Sequence, residues 1–374
     1  MKNATWLVWA LLAFSTAVAV TLTNPNLVRS TGPSTEAGSS HDTVVCQPTS
    51  DMVVARGGSQ TAPLQDGRVL IVGGSSGGTF LASAEIYDPV DDTFTLTRHP
   101  MQYARWRHVA APLPNGRVLV AGGRDYDFTA ELFDPDTGSF SQTANTVAPR
   151  YCATSVLLQN GDVFLIGSNY SKQAEVYDGG RFIGKGSLHQ GTRNRYHVAA
   201  SLLQNGKVLV TGGKEYGFCC FDSIEEYDPD TGEFTAVGHM TTPRARHTST
   251  VLQDGRVLLA GGENQIVGGR LDSAEVYDPV TGTSTATGDM SLGMVDHQAI
   301  LLRNGSVLLS EDSISQLFDP GTGTFTRVPG CGGGQAPMVT LLDGRVLLLR
   351  SSQGNLASLL DQHTYLPVVV QAGR

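Results

Sequence analysis

Seven times along this chain an Asp-Gly or Asn-Gly pair stands between two apolar runs: at 66–67, 115–116, 160–161, 205–206, 254–255, 304–305 and 343–344. Such a pair is the strongest short-range signal for a β-hairpin, with both turn residues expected at positive φ. The pairs recur every 39–50 residues, which is the period of a repeat. An apolar run follows each turn: GRVLIVGG (67–74), GRVLVAGG (116–123), GKVLVTGG (206–213) and GRVLLAGG (255–262). Weaker copies are GDVFLIGS (161–168), GSVLLSED (305–312) and GRVLLLRS (344–351). Apolar runs without alternation predict strands covered on both faces. In six of the seven copies a version of one hexapeptide comes next: AEIYDP (84–89), AELFDP (130–135), AEVYD (174–178), IEEYDP (224–229), AEVYDP (274–279) and SQLFDP (315–320). Where Asp-Pro closes it, that pair ends a strand and starts a turn.

Each copy therefore reads as four short strands. The first precedes the turn, the second is the apolar run, and the third is the hexapeptide. The fourth carries an aromatic at Phe94, Phe140, Phe182, Phe234, Phe325 and Tyr365, with Ser284 in the fifth copy. The hexapeptide is expected to present the same edge of each sheet to its neighbour. Seven four-stranded antiparallel sheets set radially leave only short edges, so the fold class is all-β, a seven-bladed propeller. The alternative is six regular blades with a degenerate closing one. A glycine pair, a spaced Tyr and a later aromatic at this period resemble the Kelch repeat, over residues 58–374. Copies three, six and seven lack the glycine pair.

Composition fits a β protein: 44 glycines and 16% charged residues. A net charge of −9 without a basic run argues against a nucleic-acid partner. Lys2, an apolar run and Ala17-Val18-Ala19 describe a secretory signal over 1–19, with cleavage expected after Ala19. Membrane attachment is expected only if that segment stays uncleaved. Residues 20–42 read as a flexible linker, leaving 43–374 as the propeller, secreted, periplasmic or at the cell surface. Of five cysteines, Cys46 and Cys331 flank the point where the ring closes, and a disulfide between them would staple it. Cys219 and Cys220 are adjacent, so a bridge between them would be strained, and they read as free thiols or as partners of other groups. No cysteine has zinc spacing, and no metal or cofactor is expected.

Loops on a rigid scaffold are where binding residues concentrate. The segments between blades recur as YARWRH (103–108), APRYC (148–152), TRNRYH (192–197), RARH (244–247) and MVDH (294–297). They bring Arg105, Arg107, His108, Arg195, Tyr196, His197, Arg246, His247 and His297 to the start of the innermost strands. Glu311, where a glycine belongs, joins them as a candidate. The imidazoles are potential ligands or acid–base groups, although His197 is one residue out of step with the other three. Tyr126, Tyr170, Tyr216 and Phe218 are candidates for an aromatic rim.

RYHVAASLLQNGKVLVTGG (195–213) and MQYARWRHVAAPLPNGRVLVAGG (101–123) resemble segments of the galactose oxidase family, copper-radical enzymes built on a Kelch-type propeller. The resemblance implies a copper-binding pair at Tyr196-His197. The position of the redox tyrosine holds Arg107, however, and no cysteine stands near Ser59, where its cross-link partner would fall. Copper-radical oxidase activity is therefore not expected. The reading is a binding or scaffold module for a protein or carbohydrate on the variable loop face. A metal- or imidazole-dependent enzyme at the central channel is the alternative.

Overall fold

The computed structural model describes residues 46–191, 194–311, 314–329, 331, 337–350 and 356–360. The predicted signal, the linker and Tyr365 lie outside them. Seven four-stranded antiparallel sheets are present, so the alternative of six blades and a remnant is set aside. The innermost strands are 60–63, 109–112, 154–157, 199–202, 248–251, 298–301 and 338–340. Each lies beside the next, and 60–63 lies beside 338–340, so the ring is closed.

Burial explains the apolar runs. Every second strand, such as Val69–Val72 and Val257–Ala260, is buried at all four positions. The cores lie between blades: Val69, Ile71 and Tyr87 of blade one pack with Leu347, Leu349 and Leu359 of blade seven. The hexapeptide aromatic packs on the fourth-strand aromatic, as in Tyr87–Phe94 at 4.7 Å and Phe133–Phe140 at 4.9 Å. In blade five Ser284 faces Tyr277 instead.

Three local expectations are revised. Only the glycine of each Asp-Gly or Asn-Gly pair takes positive φ, as in Gly67 at 93° and Gly116 at 86°. Gly67 N–H donates to Leu64 O, and Leu64 N–H to Arg68 O. The turn is thus a three-residue type I turn closed by a left-handed glycine, not a two-residue one. The outermost strand of blade seven comes from the other end of the chain: Cys46–Pro48 pairs with Ala357–Leu360. The disulfide Cys46–Cys331, with Cα atoms 5.2 Å apart, fixes that strand to the segment entering the same blade.

The third revision concerns the hexapeptide glutamate, which forms a buried ion pair within its own blade. Five pairs recur: Arg56–Glu85, Arg105–Glu131, Arg150–Glu175, Arg195–Glu225 and Arg244–Glu275, all essentially inaccessible. Each carboxylate also accepts a backbone N–H, such as Val53 at 2.7 Å and Gln102 at 2.8 Å. In the four blades that keep the glycine pair the guanidinium bonds the carbonyl of its first glycine, Gly122 for Arg105 and Gly261 for Arg244, both at 2.8 Å. Those glycines admit the next blade's connecting segment. A Cβ on Gly122 would lie 2.0 Å from Arg150 O, and one on Gly212 2.2 Å from Arg244 O. In blade six both partners change together. Met294 stands in place of the arginine and Gln316 in place of the glutamate, its Oε1 still accepting Ser291 N–H at 2.7 Å. A neutral pair replaces a buried charged one without leaving an unpaired ion.

Candidate functional site

Each segment between blades ends in a four-residue corner. Six corners are described: Arg56-Gly-Gly-Ser59, Arg105-Trp-Arg-His108, Arg150-Tyr-Cys-Ala153, Arg195-Tyr-His-Val198, Arg244-Ala-Arg-His247 and Met294-Val-Asp-His297. The first residue is the buried anchor just described. The third takes left-handed φ in every corner: Gly58 62°, Arg107 55°, Cys152 58°, His197 55°, Arg246 59° and Asp296 54°. Non-glycine residues adopt this conformation rarely, and when they do the surrounding structure must hold it. Here successive corners are linked backbone to backbone. Arg107 N–H donates to Gly58 O, Cys152 to Arg107 O, Arg246 to His197 O and Asp296 to Arg246 O, at 3.1–3.4 Å.

These third residues line a cavity of about 210 Å3 at the channel mouth, with Ser59, Gln60, His108, His247, His297 and Gln298 below them. Asp296 is held by two arginines. Arg107 Nη2 donates to Oδ2 at 2.7 Å, and Arg246 Nε donates to Oδ1 at 2.8 Å with its Nη2 on Oδ2. Arg107 enters blade two and Asp296 blade six, so their ion pair bridges the mouth. Arg246 also reaches Glu263, which in turn pairs with Lys214. Burial works against the Asp296 charge. The Arg246 hydrogen bond and the charges of Arg107 and Arg246 outweigh it and hold the carboxyl at about 2.

His197 shares the ring with these charges, and burial first, then Arg107, Arg246 and Lys214, pushes it down to about 3. His108 and His297 are likewise lowered to about 3, chiefly by burial, and His247 is lowered for the same reason. His247 Nε2 meets Thr211 Oγ1 at 2.8 Å, and His297 Nε2 meets Thr248 Oγ1 at 2.9 Å. All four imidazoles are neutral at neutral pH. Burial also pushes the Cys152 thiol up.

The second corner residues form an aromatic arc on blades two, three and four: Trp106, Tyr151 and Tyr196. Trp106 lies 6.0 Å from Tyr151, stacks on Phe80 at 5.6 Å and carries the Arg107 guanidinium 4.7 Å from its ring centre. Gly58 makes room for it, since a Cβ there would lie 2.3 Å from the indole nitrogen. Tyr196 packs on Tyr216 at 5.4 Å, and Tyr126 on Tyr170 at 4.4 Å.

Of the residues singled out by sequence, Arg107, His108, His197, Arg246, His247 and His297 line the cavity, and Tyr196 packs on His197, 5.1 Å between ring centres. Arg105 and Arg195 lie elsewhere, buried in the anchor pairs. Glu311 pairs with Arg270 and accepts Val295 N–H at 3.0 Å, apart from the cavity. Sequence reasoning did not select Asp296, Cys152, Trp106 or Tyr151. Aligning the corners on the buried arginine places Trp106, Tyr151 and Cys152, and setting His297 in register with His108 and His247 places Asp296.

The chain carries Kelch motifs, matched at residues 58–98 and 243–291, and its structure is a Kelch-like propeller. More particularly, it is similar to two galactose oxidases of Gibberella zeae, at 28% identity over 226 residues. The match covers 58% of this chain and only 29% of theirs. A solved structure, a fungal alcohol oxidase of the AA5 family in complex with copper, superimposes with a TM-score of 0.67 at 15% identity. That match covers 85% of this chain and 76% of the oxidase, and it shows the shared fold.

The donors here do not fit copper. Among the described residues no three His, Cys, Asp or Glu side chains are grouped to hold a metal ion. The cavity carboxylate, Asp296, is already held by two guanidinium groups, and those cations would repel another. His247 and His297 are turned to threonine hydroxyls.

Proposed function

We propose that this propeller is an extracytoplasmic carbohydrate-binding module whose ligand carries a carboxylate, an acidic oligosaccharide held at the channel mouth. The observation that supports this most is the Arg107–Asp296–Arg246 cluster. Arg107, Arg246 and Lys214 face only Asp296 and Glu263 in one connected set, so one positive charge is left over in a concave site of a chain with net charge −9. A recessed charge of this kind focuses anions, and guanidinium matches carboxylate in a two-point hydrogen bond. The arc of Trp106, Tyr151 and Tyr196 offers apolar ring faces beside it, on which a pyranose can lie while its hydroxyls stay polar. The cavity has room for one sugar unit. A protein partner is the second reading, favoured by Tyr126, Tyr216, Ile266 and Val267, which are 64–76% exposed on loops of the same face.

Trp106 is one of three tryptophans, the others being Trp6 and Trp9 of the predicted signal, so a ligand-dependent fluorescence change that disappears in Trp106→Phe reports on the site. The test titrates the full chain with a short oligouronide and with its neutral counterpart. Saturable change with the acidic sugar, and much weaker change with the neutral one, is expected. Equal response to both would remove the carboxylate from the reading. No response to either would turn the search to protein partners.

A further inference from the structure

Blade four extends beyond its sheet as a two-stranded hairpin, Lys214–Glu215 with Phe218–Cys220, and blade five as Glu263–Asn264 with Gly269–Arg270. The two adjacent cysteines sit between these hairpins. Their sulfurs are 2.7 Å apart, closer than two unbonded sulfur atoms rest against each other. Cys219 is half-exposed and Cys220 is buried. Cys219 Sγ accepts Gln265 N–H at 3.1 Å, and Cys220 donates its S–H to Glu263 O at 3.0 Å. The sulfurs therefore hold the blade-five hairpin by its backbone, at the residue whose side chain pairs with Arg246 and Lys214.

We propose that Cys219 and Cys220 are a thiol–disulfide exchange site, closing to a vicinal disulfide with a low-molecular-weight or protein disulfide as oxidant. Cys219, the accessible sulfur, attacks one sulfur of the oxidant as a thiolate. A mixed disulfide forms and one thiolate leaves, taking up a proton from solvent. Cys220 then loses its proton and attacks Cys219 Sγ, expelling the second thiol. Two cysteine thiols and one disulfide become one protein disulfide and two small thiols, with no other electron donor or acceptor. Burial pushes the Cys220 thiol up, which suits it to the second step, where the attack is intramolecular, and not to the first. A ring closed between neighbouring residues is strained, and strained disulfides are the readily reduced, exchangeable ones. Closure also removes the thiol proton of Cys220, so its bond to Glu263 O is lost. The redox state of the pair thereby reaches the edge of the cavity, whatever ligand the cavity takes.

The test uses the full chain, equilibrated with glutathione disulfide and then alkylated in denaturant without reductant. With Cys46 and Cys331 bridged, three cysteines remain. The expected label count is one, on Cys152, with the Cys219–Cys220 peptide lighter by about 2 Da than its reduced form. A short, mild thiol treatment should return the count to three while Cys46–Cys331 persists. In Cys220→Ser the exchange should stop at a stable glutathione adduct on Cys219. Three labels after glutathione disulfide, or a wild-type adduct that never resolves, would overturn the proposal.

Discussion

Arg105 and Arg107 stand two residues apart in one corner and do different work. Arg105 is wholly buried, bonded to Glu131, Gly122 O and the Thr129 carbonyl and hydroxyl. Arg107 is left-handed, 20% exposed, and extends over the channel mouth to Asp296. The same contrast repeats around the ring between first and third corner positions. First positions are nearly uniform because each must fill the same slot in a blade. Third positions are Gly, Arg, Cys, His, Arg and Asp, varied because they face a cavity that belongs to the whole ring. Blade six shows that even the anchor is not chosen for its charge, since Met294 with Gln316 serves there. What the slot demands is that no ion be left unpaired.

The anchor side of this comparison breaks with the largest effect. Arg244→Met leaves Glu275 charged and buried without its partner, at a cost of about 3–5 kcal/mol in unfolding free energy. Arg244→Met with Glu275→Gln reproduces blade six and should recover most of that loss in urea denaturation. A double variant no more stable than the single one would show that the pair does more than neutralise itself.

The lining side should break in binding. Arg107→Ala is expected to weaken the acidic oligosaccharide ten- to hundredfold, the equivalent of about 1.5–3 kcal/mol for charged hydrogen bonds. Trp106 fluorescence measures it, and neutral sugar binding should barely change.

A smaller effect separates the buried imidazoles from the charged ring. His108, His197 and His297 have folded pKa values near 3 against 6.5 unfolded. Below pH 6.5 the unfolded chain takes up protons that the folded one refuses, so stability is full above 6.5 and falls with acidification. Between pH 7.5 and 5.5 each contributes about 1 kcal/mol of that fall. His297→Gln should flatten the urea-midpoint profile by one such increment. The depressed Asp296 acts lower, its stabilisation present above 3.8 and lost as pH falls toward 2. Smallest of all, affinity for the acidic sugar should change less than about twofold between pH 8 and 5, because no charge lining the cavity titrates there.

The repeat made the blades legible, since turn glycines, apolar runs and the hexapeptide are each imposed by local sterics or burial. The strand Cys46–Pro48 was not, because it pairs with Ala357–Leu360 across almost the whole chain and three residues carry no periodic signal. The turn type was misjudged because Asp-Gly serves both two- and three-residue turns, and only the backbone bond from Leu64 to Arg68 decides between them. At the site, sequence collected arginines and histidines by type and so mixed Arg105 with Arg107. It passed over Asp296 and Cys152 because a cavity built from one residue per repeat varies where the scaffold does not. His197 did read as out of step, and the structure shows the reason: it is a third-position residue, whereas His108, His247 and His297 are fourth.

The most direct test is the unfolding free energy of Arg105→Ala beside that of Arg107→Ala, measured in urea under one set of conditions. The division of labour predicts a loss of at least about 3 kcal/mol for Arg105, whose removal strands Glu131 in the core. For Arg107, a fifth exposed, it predicts about 1 kcal/mol, because Asp296 keeps Arg246 as its partner. Equal losses, or a larger one at Arg107, would contradict it.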